Sequence, residues 1–231
     1  MTPRKRRISV VAVVPAFDEE AAIARTVKSL LSVERVGRVV VVADGCTDAT
    51  VHEALGAGAT VLAAAGRRGK GRALEEALDR IAPVPEVYVF VDGDVGDTAV
   101  EAGTLVDEVL GGRLDVAIGR LPALEGGGFG LVKTMAAWMI RRAGGFDAQA
   151  PLSGQRALTR DALEGCRPLA AGFGLETAMT MDLVRFGFRV GEVPVDMTHR
   201  PTGRSVEGFI HRGRQGLEIL AAATPRLFHL R

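Results

Sequence analysis

Tyr88-Val89-Phe90-Val91-Asp92-Gly93-Asp94 is an apolar run that stops on two acids. Valine, tyrosine and phenylalanine bounded by Pro85 upstream and Gly93 downstream compose a short buried strand. Carboxylates straight after such a strand stand at its C-terminal edge, where open α/β sheets bind ligands. Gly93 between them lets the backbone approach whatever is held there. Hard oxygen donors at Asp92 and Asp94 suit Mg²⁺ or Mn²⁺ shared with a diphosphate. The same residues also read as an acidic turn that caps the next helix. The rest of the chain decides between the two readings.

Working outward, the first half repeats the pattern of an apolar strand followed by a polar turn and a helix. Ile8 to Val14 is a continuous apolar run, as expected of a strand buried on both faces of a parallel sheet. It ends in Pro15-Ala16-Phe17-Asp18-Glu19-Glu20, whose acids suit a helix N-terminus, and Ala21 to Leu31 follows at helical spacing. Val39 to Val42 is a second strand, ending in Ala43-Asp44-Gly45-Cys46-Thr47-Asp48, where Thr47 or Asp48 would cap the next helix. Thr60 to Ala64 is a weaker strand. Gly66-Arg67-Arg68-Gly69-Lys70-Gly71 then opens a helix from Arg72 to about Ile81. This basic glycine-rich loop reads as an anion cradle or as a solvated turn. It is not a P-loop, because no Ser or Thr follows Lys70. A helix from about Thr98 to Leu110 and a strand at Asp115 to Ile118 complete the alternation, which argues for a doubly wound sheet.

The second half is organised differently. Gly126-Gly127-Gly128 reads as a hinge or open loop, and Leu131 to Arg142 as a helix whose Trp138 belongs in a core or an interface. Pro151-Leu152-Ser153-Gly154-Gln155-Arg156-Ala157 is polar and glycine-punctuated, with no evident packing purpose. Gly172-Phe173-Gly174-Leu175-Glu176 leads into a helix to about Phe186. Arg189 to Asp196 alternates as a strand, Met197-Thr198-His199-Arg200-Pro201 follows, and a basic helix from about Arg204 to Ala223 closes the chain.

Composition limits the function classes. A chain of 231 residues with 47% hydrophobic and 25% charged residues can bury a proper core. A net charge of +1 argues against holding nucleic acid by bulk electrostatics. Cys46 and Cys166 have neither metal nor redox spacing, which fits free thiols in a reducing compartment. Ile8 to Val14 is too short for a secretory signal, and no apolar run approaches the roughly 20 residues that span a bilayer. The expected location is therefore the cytoplasm, with the inner membrane surface left open.

Taken together, the motifs resemble those of the nucleotide-sugar glycosyltransferases of the GT-A fold, broad family 2. The carriers are Val14-Pro15-Ala16-Phe17-Asp18-Glu19-Glu20, Asp44-Gly45-Cys46-Thr47-Asp48, Gly69-Lys70-Gly71 and Asp92-Gly93-Asp94, the last as the family's Asp-x-Asp motif. The match runs from about Ile8 to His199. A narrower resemblance, to glucosyl-3-phosphoglycerate synthases, rests on Pro151-Leu152-Ser153-Gly154, on Gly172 to Glu176 and on His199. The chain is shorter than that pattern and its acceptor loop departs from it. The resemblance implies an α/β fold with a Rossmann-like, mostly parallel sheet flanked by helices. It implies a single domain over 1–231, with a nucleotide-sugar half at about 8–120 and an acceptor half at about 121–231.

The resemblance also implies roles. Pro15, Ala16, Phe17 and Glu19 would border the nucleobase and ribose, Asp44 with Gly45 would meet the base, and Lys70 would meet the base or diphosphate as a point charge. Asp92 and Gly93 would hold the ribose or a metal-bound water. Asp94 and His199 would be ligands of Mg²⁺ or Mn²⁺, which as a Lewis acid stabilises the departing nucleoside diphosphate. Ser153, Gly154 and Gln155 would contact the acceptor. Glu176 is the candidate base for the acceptor hydroxyl, and reads equally as a first-turn acid complementing its helix dipole.

The activity so implied is metal-dependent transfer from a nucleotide diphosphate sugar, a UDP-sugar such as UDP-glucose, to a small-molecule or lipid-linked hydroxyl acceptor. A nucleotidyltransferase would need a glycine-rich phosphate loop where Pro15-Ala16-Phe17 stands. A non-catalytic nucleotide-sugar-binding protein would be expected to have lost acids at Asp92, Asp94 and Glu176. The basic C-terminal segment, with Arg200, Arg204, Arg212, Arg214, Arg226 and Arg231, reads as a docked helix with a solvated face, a membrane-surface helix or, at Arg200 and Arg204, a lid. A homodimer and a peripheral membrane contact stay open.

Overall fold

The computed structural model describes residues 9–122, 130–198 and 220–226. A 7-stranded sheet in the order β3-β2-β1-β4-β6-β5-β7 forms its centre. The strands are β1 (Val10–Ala16), β2 (Val36–Asp44), β3 (Thr60–Ala64), β4 (Val87–Phe90), β5 (Val116–Arg120), β6 (Arg156–Thr159) and β7 (Val190–Pro194). The helices are α1 (Ile23–Ser32), α2 (Thr50–Gly56), α3 (Lys70–Leu78), α4 (Ala102–Leu110), α5 (Gly130–Gly144), α6 (Arg160–Gly165) and α7 (Leu175–Arg185). This is the mostly parallel α/β architecture expected from the sequence.

Strand residues alternate between two cores, because successive side chains leave a strand on opposite faces. Val10, Ala12 and Val14 of β1, with Val87 and Val89 of β4, pack under α1 and α4 through Ile23, Val27, Leu30, Leu105 and Val106. Val11 and Val13, with Tyr88 and Phe90, face α3, α6 and α7 through Leu74, Leu78, Leu163 and Leu183. Val13 and Val89 are fully buried, and each such valine contributes about 1.5–3 kcal/mol relative to exposure. Two-sided burial is why these strands carry no polar alternation.

The sheet departs from the sequence expectation at β6. The stretch read as a polar loop contains a strand that runs antiparallel to both β4 and β5, pairing Phe90 with Arg156 and Val116 with Leu158. Four residues beginning with a charged arginine are too short to show a period. Helix boundaries moved less. α3 begins at Lys70 rather than Arg72, and a 3₁₀ turn at Gly96–Glu101 precedes α4. Asp48 caps α2 from outside, its Oδ1 accepting from the Thr50 amide at 2.9 Å, while the Thr47 amide donates to Asp18 at 2.7 Å. Trp138, expected in a core or an interface, is 55% exposed within this chain. Gly126 to Gly128 lie outside the described residues.

The segment at 220–226 is helical, and its Ala223 is buried against Met139, Ile140 and Met181. Arg226, read in the sequence as part of a basic face, is buried instead. Its Nε donates to Asp182 Oδ2 at 2.8 Å, and its carbonyl accepts from Arg185 at 2.8 Å. The rest of the expected C-terminal helix, including Arg204, Arg212 and Arg214, lies outside the described residues.

Candidate active site

β1 is flanked by β2 on one side and β4 on the other, so the chain turns back across the sheet at this point. Ligands of open α/β sheets bind outside the strand ends at such a switch. A cleft of about 2280 Å³ opens there. Pro15, Ala16, Phe17, Glu19, Asp44, Lys70, Asp92, Gly93, Asp94, Ser153, Gly154 and Glu176 all line it. The four strand-end motifs and the later loops therefore converge on one space.

At its floor, Lys70 bridges two carboxylates. Its Nζ donates to Asp92 Oδ1 at 2.7 Å and to Glu176 Oε1 at 2.8 Å. Burial alone would lower the lysine pKa, but the charges of Asp92 and Glu176 outweigh it and hold the ammonium above the ordinary lysine range. Asp92 is fixed from its other side by Gln155, whose Nε2 donates to Asp92 Oδ2 at 2.7 Å and whose Oε1 accepts from the Asp92 amide at 3.1 Å. Gln155 is fully buried. Sequence reasoning put it against the acceptor; the structure turns its amide onto Asp92 instead, because β6 starts beside the end of β4.

Close backbone approaches make this cluster possible. A Cβ on Gly154 would lie 2.7 Å from Asp92 Oδ2 and 2.8 Å from Lys70 Nζ, so a larger residue would push that pair aside. A Cβ on Gly71 would lie 2.0 Å from the Ala170 carbonyl. The start of α3, which carries Lys70, thus packs against the loop that leads to Glu176. Glu75 reinforces that packing by accepting from the Leu169 amide at 2.9 Å. Glu176 stands in the first turn of α7, so it complements the helix dipole and faces the cleft at once.

Two further residues hold the motif loops. Thr26 is fully buried; its hydroxyl donates to the Gly93 carbonyl at 2.8 Å and accepts from the Gly96 amide at 2.8 Å, pinning the turn that carries Asp94. Asp44 accepts from the Arg68 and Gly69 amides at 2.7 and 2.8 Å. Its carboxylate therefore shapes the 66–71 loop as well as lining the cleft. Gly45 stands behind the lining, at φ 71°, where a Cβ would lie 2.5 Å from the Arg67 nitrogen.

Some residues of the site escaped the sequence reading. Arg156 is 1% exposed, and its Nη2 donates to the Ser153 carbonyl at 2.5 Å while Nη1 reaches the Glu176 carbonyl at 3.4 Å. Burial lowers its pKa from the usual arginine value, against the opposing charges of Glu176 and Asp92. Arg67 stacks over Phe17 with its guanidinium 3.9 Å from the ring centroid, and both line the cleft. Asp196 also lines the cleft; the signal for it was an acid just past a strand that turns out parallel to β5. His199 lies outside the described residues. Among the described residues, Asp18, Cys46 and Asp48 form a second close group. Its carboxylates already accept from Thr47, Glu20 and Thr50 in joining two loops.

Comparison with known proteins gives a consistent family. The family model described as glycosyl transferase family 2 matches residues 11–158. Glycosyltransferase AglJ of Haloferax volcanii is 31% identical over 193 residues, which is 82% of this chain and 63% of AglJ, so the chain spans less than two thirds of that relative. Among solved structures, glucosyl-3-phosphoglycerate synthase of Mycobacterium tuberculosis in complex with Mg²⁺ and UDP superposes with a TM-score of 0.76 at 25% identity, covering 94% of this chain and 79% of that one. The same synthase in complex with Mn²⁺, UDP-glucose and phosphoglyceric acid gives 0.75 at 25% identity, covering 95% and 79%.

Proposed function

Because the chain belongs to glycosyl transferase family 2, we propose that it transfers a sugar from a UDP-sugar to a hydroxyl acceptor with the help of a divalent metal. The observation that carries this reading is the convergence of Asp92, Asp94, Lys70 and Glu176 on one cleft at the switch point of the sheet.

Pro15, Ala16, Phe17 and Glu19 border the nucleoside. Asp44 serves by shaping the basic loop and through whatever contact its carboxylate makes with the base. The donor set at the end of β4 is hard oxygen, which fits Mg²⁺ or Mn²⁺. Asp94 would hold the ion, with His199 as the second protein ligand that the family resemblance implies. Such an ion, when bound, supplies Lewis-acid stabilisation of the leaving diphosphate. Glu176 takes the proton of the acceptor hydroxyl as its oxygen bonds to the sugar and the sugar–diphosphate bond breaks. Lys70 and Gln155 keep Glu176 and Asp92 aimed. Ser153 and Gly154 border the acceptor. What supports the metal and the UDP-sugar is the likeness to synthase structures solved with those ligands.

The test is donor turnover with Mg²⁺ or Mn²⁺ and a panel of nucleotide sugars, with small-molecule and lipid-linked acceptors supplied separately. UDP release carries the reading. Pyrophosphate release would mark a nucleotidyltransferase, and binding without release a non-catalytic protein.

A further inference from the structure

We infer that the outward face of α5 is a membrane-docking surface, suited to an anionic lipid bilayer and adjoining the cleft. Among the described residues no helix is long and apolar enough to cross a membrane, so the contact in question is peripheral. The helix reads GLVKTMAAWMIRRAG and carries no Asp or Glu. One face is occupied: Ala136, Met139 and Ile140 are buried, the last two against Met181 and Ala223. The opposite face is where solvated polar residues would normally stand. Instead Leu131 is 88% exposed and Trp138 is 55% exposed.

Positions 131 and 138 lie two helical turns apart and therefore on one stripe. Thr134 between them is exposed, and so are Arg141 and Arg142, one turn beyond Trp138. Single exposed apolar residues are ordinary. An exposed leucine and tryptophan in line with arginines, on a helix without acids, form an interfacial combination. The indole has an apolar body and a polar N–H suited to headgroup depth, and the arginines meet lipid phosphates. Arg141 pairs with Asp147 at 3.0 Å, but both side chains are mostly exposed, so that contact is weak and screened.

Charge selects the occupant. A symmetric contact through this helix would offer those arginines no acid, since the helix carries none, whereas an anionic bilayer complements them. Val132 and Lys133 of this helix line the cleft, so a docked α5 brings the cleft to the lipid surface. This differs from the C-terminal membrane helix weighed from sequence, whose described arginine, Arg226, is committed to Asp182.

Trp138 is the one tryptophan of the chain, so its emission reports this face without a label. The full chain is titrated with phosphatidylcholine vesicles containing or lacking phosphatidylglycerol. Emission should move to shorter wavelength, and be quenched by lipids brominated near the headgroup, only with the anionic vesicles. An Arg141→Gln/Arg142→Gln variant should bind about 25-fold more weakly, at about fivefold per charge near a lipid surface. Leu131→Ser should weaken binding too, with far-UV circular dichroism unchanged in both variants. Unmoved emission at saturating anionic lipid, or equal binding by the arginine variant, would overturn the inference. So would a blue emission that grows with protein concentration in the absence of vesicles, which would assign the face to a second copy. The assay reads binding alone, so its outcome is independent of sugar transfer.

Discussion

The two walls of the cleft are built from different materials. The wall made by β1, β2 and β4 consists of strand ends, and its functional groups are fixed by main chain or by buried partners: Asp44 by the Arg68 and Gly69 amides, Asp92 by Gln155 and Lys70, the Asp94 turn by Thr26. The opposite wall includes Leu121, Pro122, Val132, Leu152, Ala221, Ala222 and Pro225, largely apolar side chains carried on loops and helices. On that side the buried pair of Asp182 and Arg226, each side chain 6% exposed, ties α7 to the helical segment at 220–226. The contrast teaches a division of labour. Charge at the strand ends is held by buried partners, while the apolar lining is carried on elements that can vary without disturbing it.

The sharpest way to break this division is at Asp94. Asp94→Ala should lower transfer by about 10³-fold or more, since a metal stabilises transition-state charge by several kcal/mol. Excess chelator should do the same to the unaltered chain, with circular dichroism unchanged. Full activity in chelator would remove the metal from the sheet-end wall. Next is Glu176→Gln, which keeps size but removes charge. Turnover measured by UDP release should fall by about 10²-fold, with donor affinity little changed. Unchanged turnover would leave Glu176 as a helix-start acid tied to Lys70.

Breaking the other wall should act on stability rather than chemistry. Arg226→Ala removes a buried ion-pair partner of Asp182 and should cost about 3 kcal/mol. At roughly 2–4 °C per kcal/mol for a chain of this size, thermal melts should show a drop of about 6–12 °C. UDP binding by calorimetry should persist at lower temperature; its loss would mean that the walls are not separable.

The smallest effect lies outside the cleft lining. Arg189 donates to Asp115 at the β5–β7 edge and lowers its pKa. Burial would raise that of Asp48 before α2, but its bonds from Thr50 prevail and lower it. A depressed carboxyl stabilises fully above its unfolded pKa of about 3.9 and loses that contribution as pH falls through the lower folded value. Stability from both clasps should be flat above about pH 5 and decline below about pH 4. Asp115→Asn should flatten part of that acid slope in pH-dependent melts.

The sheet-end wall was legible in the sequence because two-sided burial makes each parallel strand a plain apolar run. Its polar residues then fall at the strand's end, as at Ala43-Asp44 and Val91-Asp92. The elements packed around it were less legible. β6 has no room for a pattern, and Arg156 and Gln155 are polar residues that are buried, so their composition pointed outward. Arg226 misled for the same reason, its partner Asp182 being 44 residues away in the chain. Of the two readings of Trp138, its 55% exposure removes the core and leaves an interface.

One strand has a consequence during synthesis. β5 and β7 join the rest of the sheet only through β6, and β6 is made long after β4. Until Arg156–Thr159 has emerged from the ribosome, β4 presents a bare edge of unpaired amides and carbonyls, the kind of surface that recruits other chains. Pairing Phe90 with Arg156 also closes a long loop, a non-local contact of the kind that slows folding. A nascent chain arrested before Arg156 is expected to aggregate in light scattering, and one arrested after β7 to stay dispersed. The strand that aims Asp92 is thus also the one whose arrival makes the polypeptide safe to release.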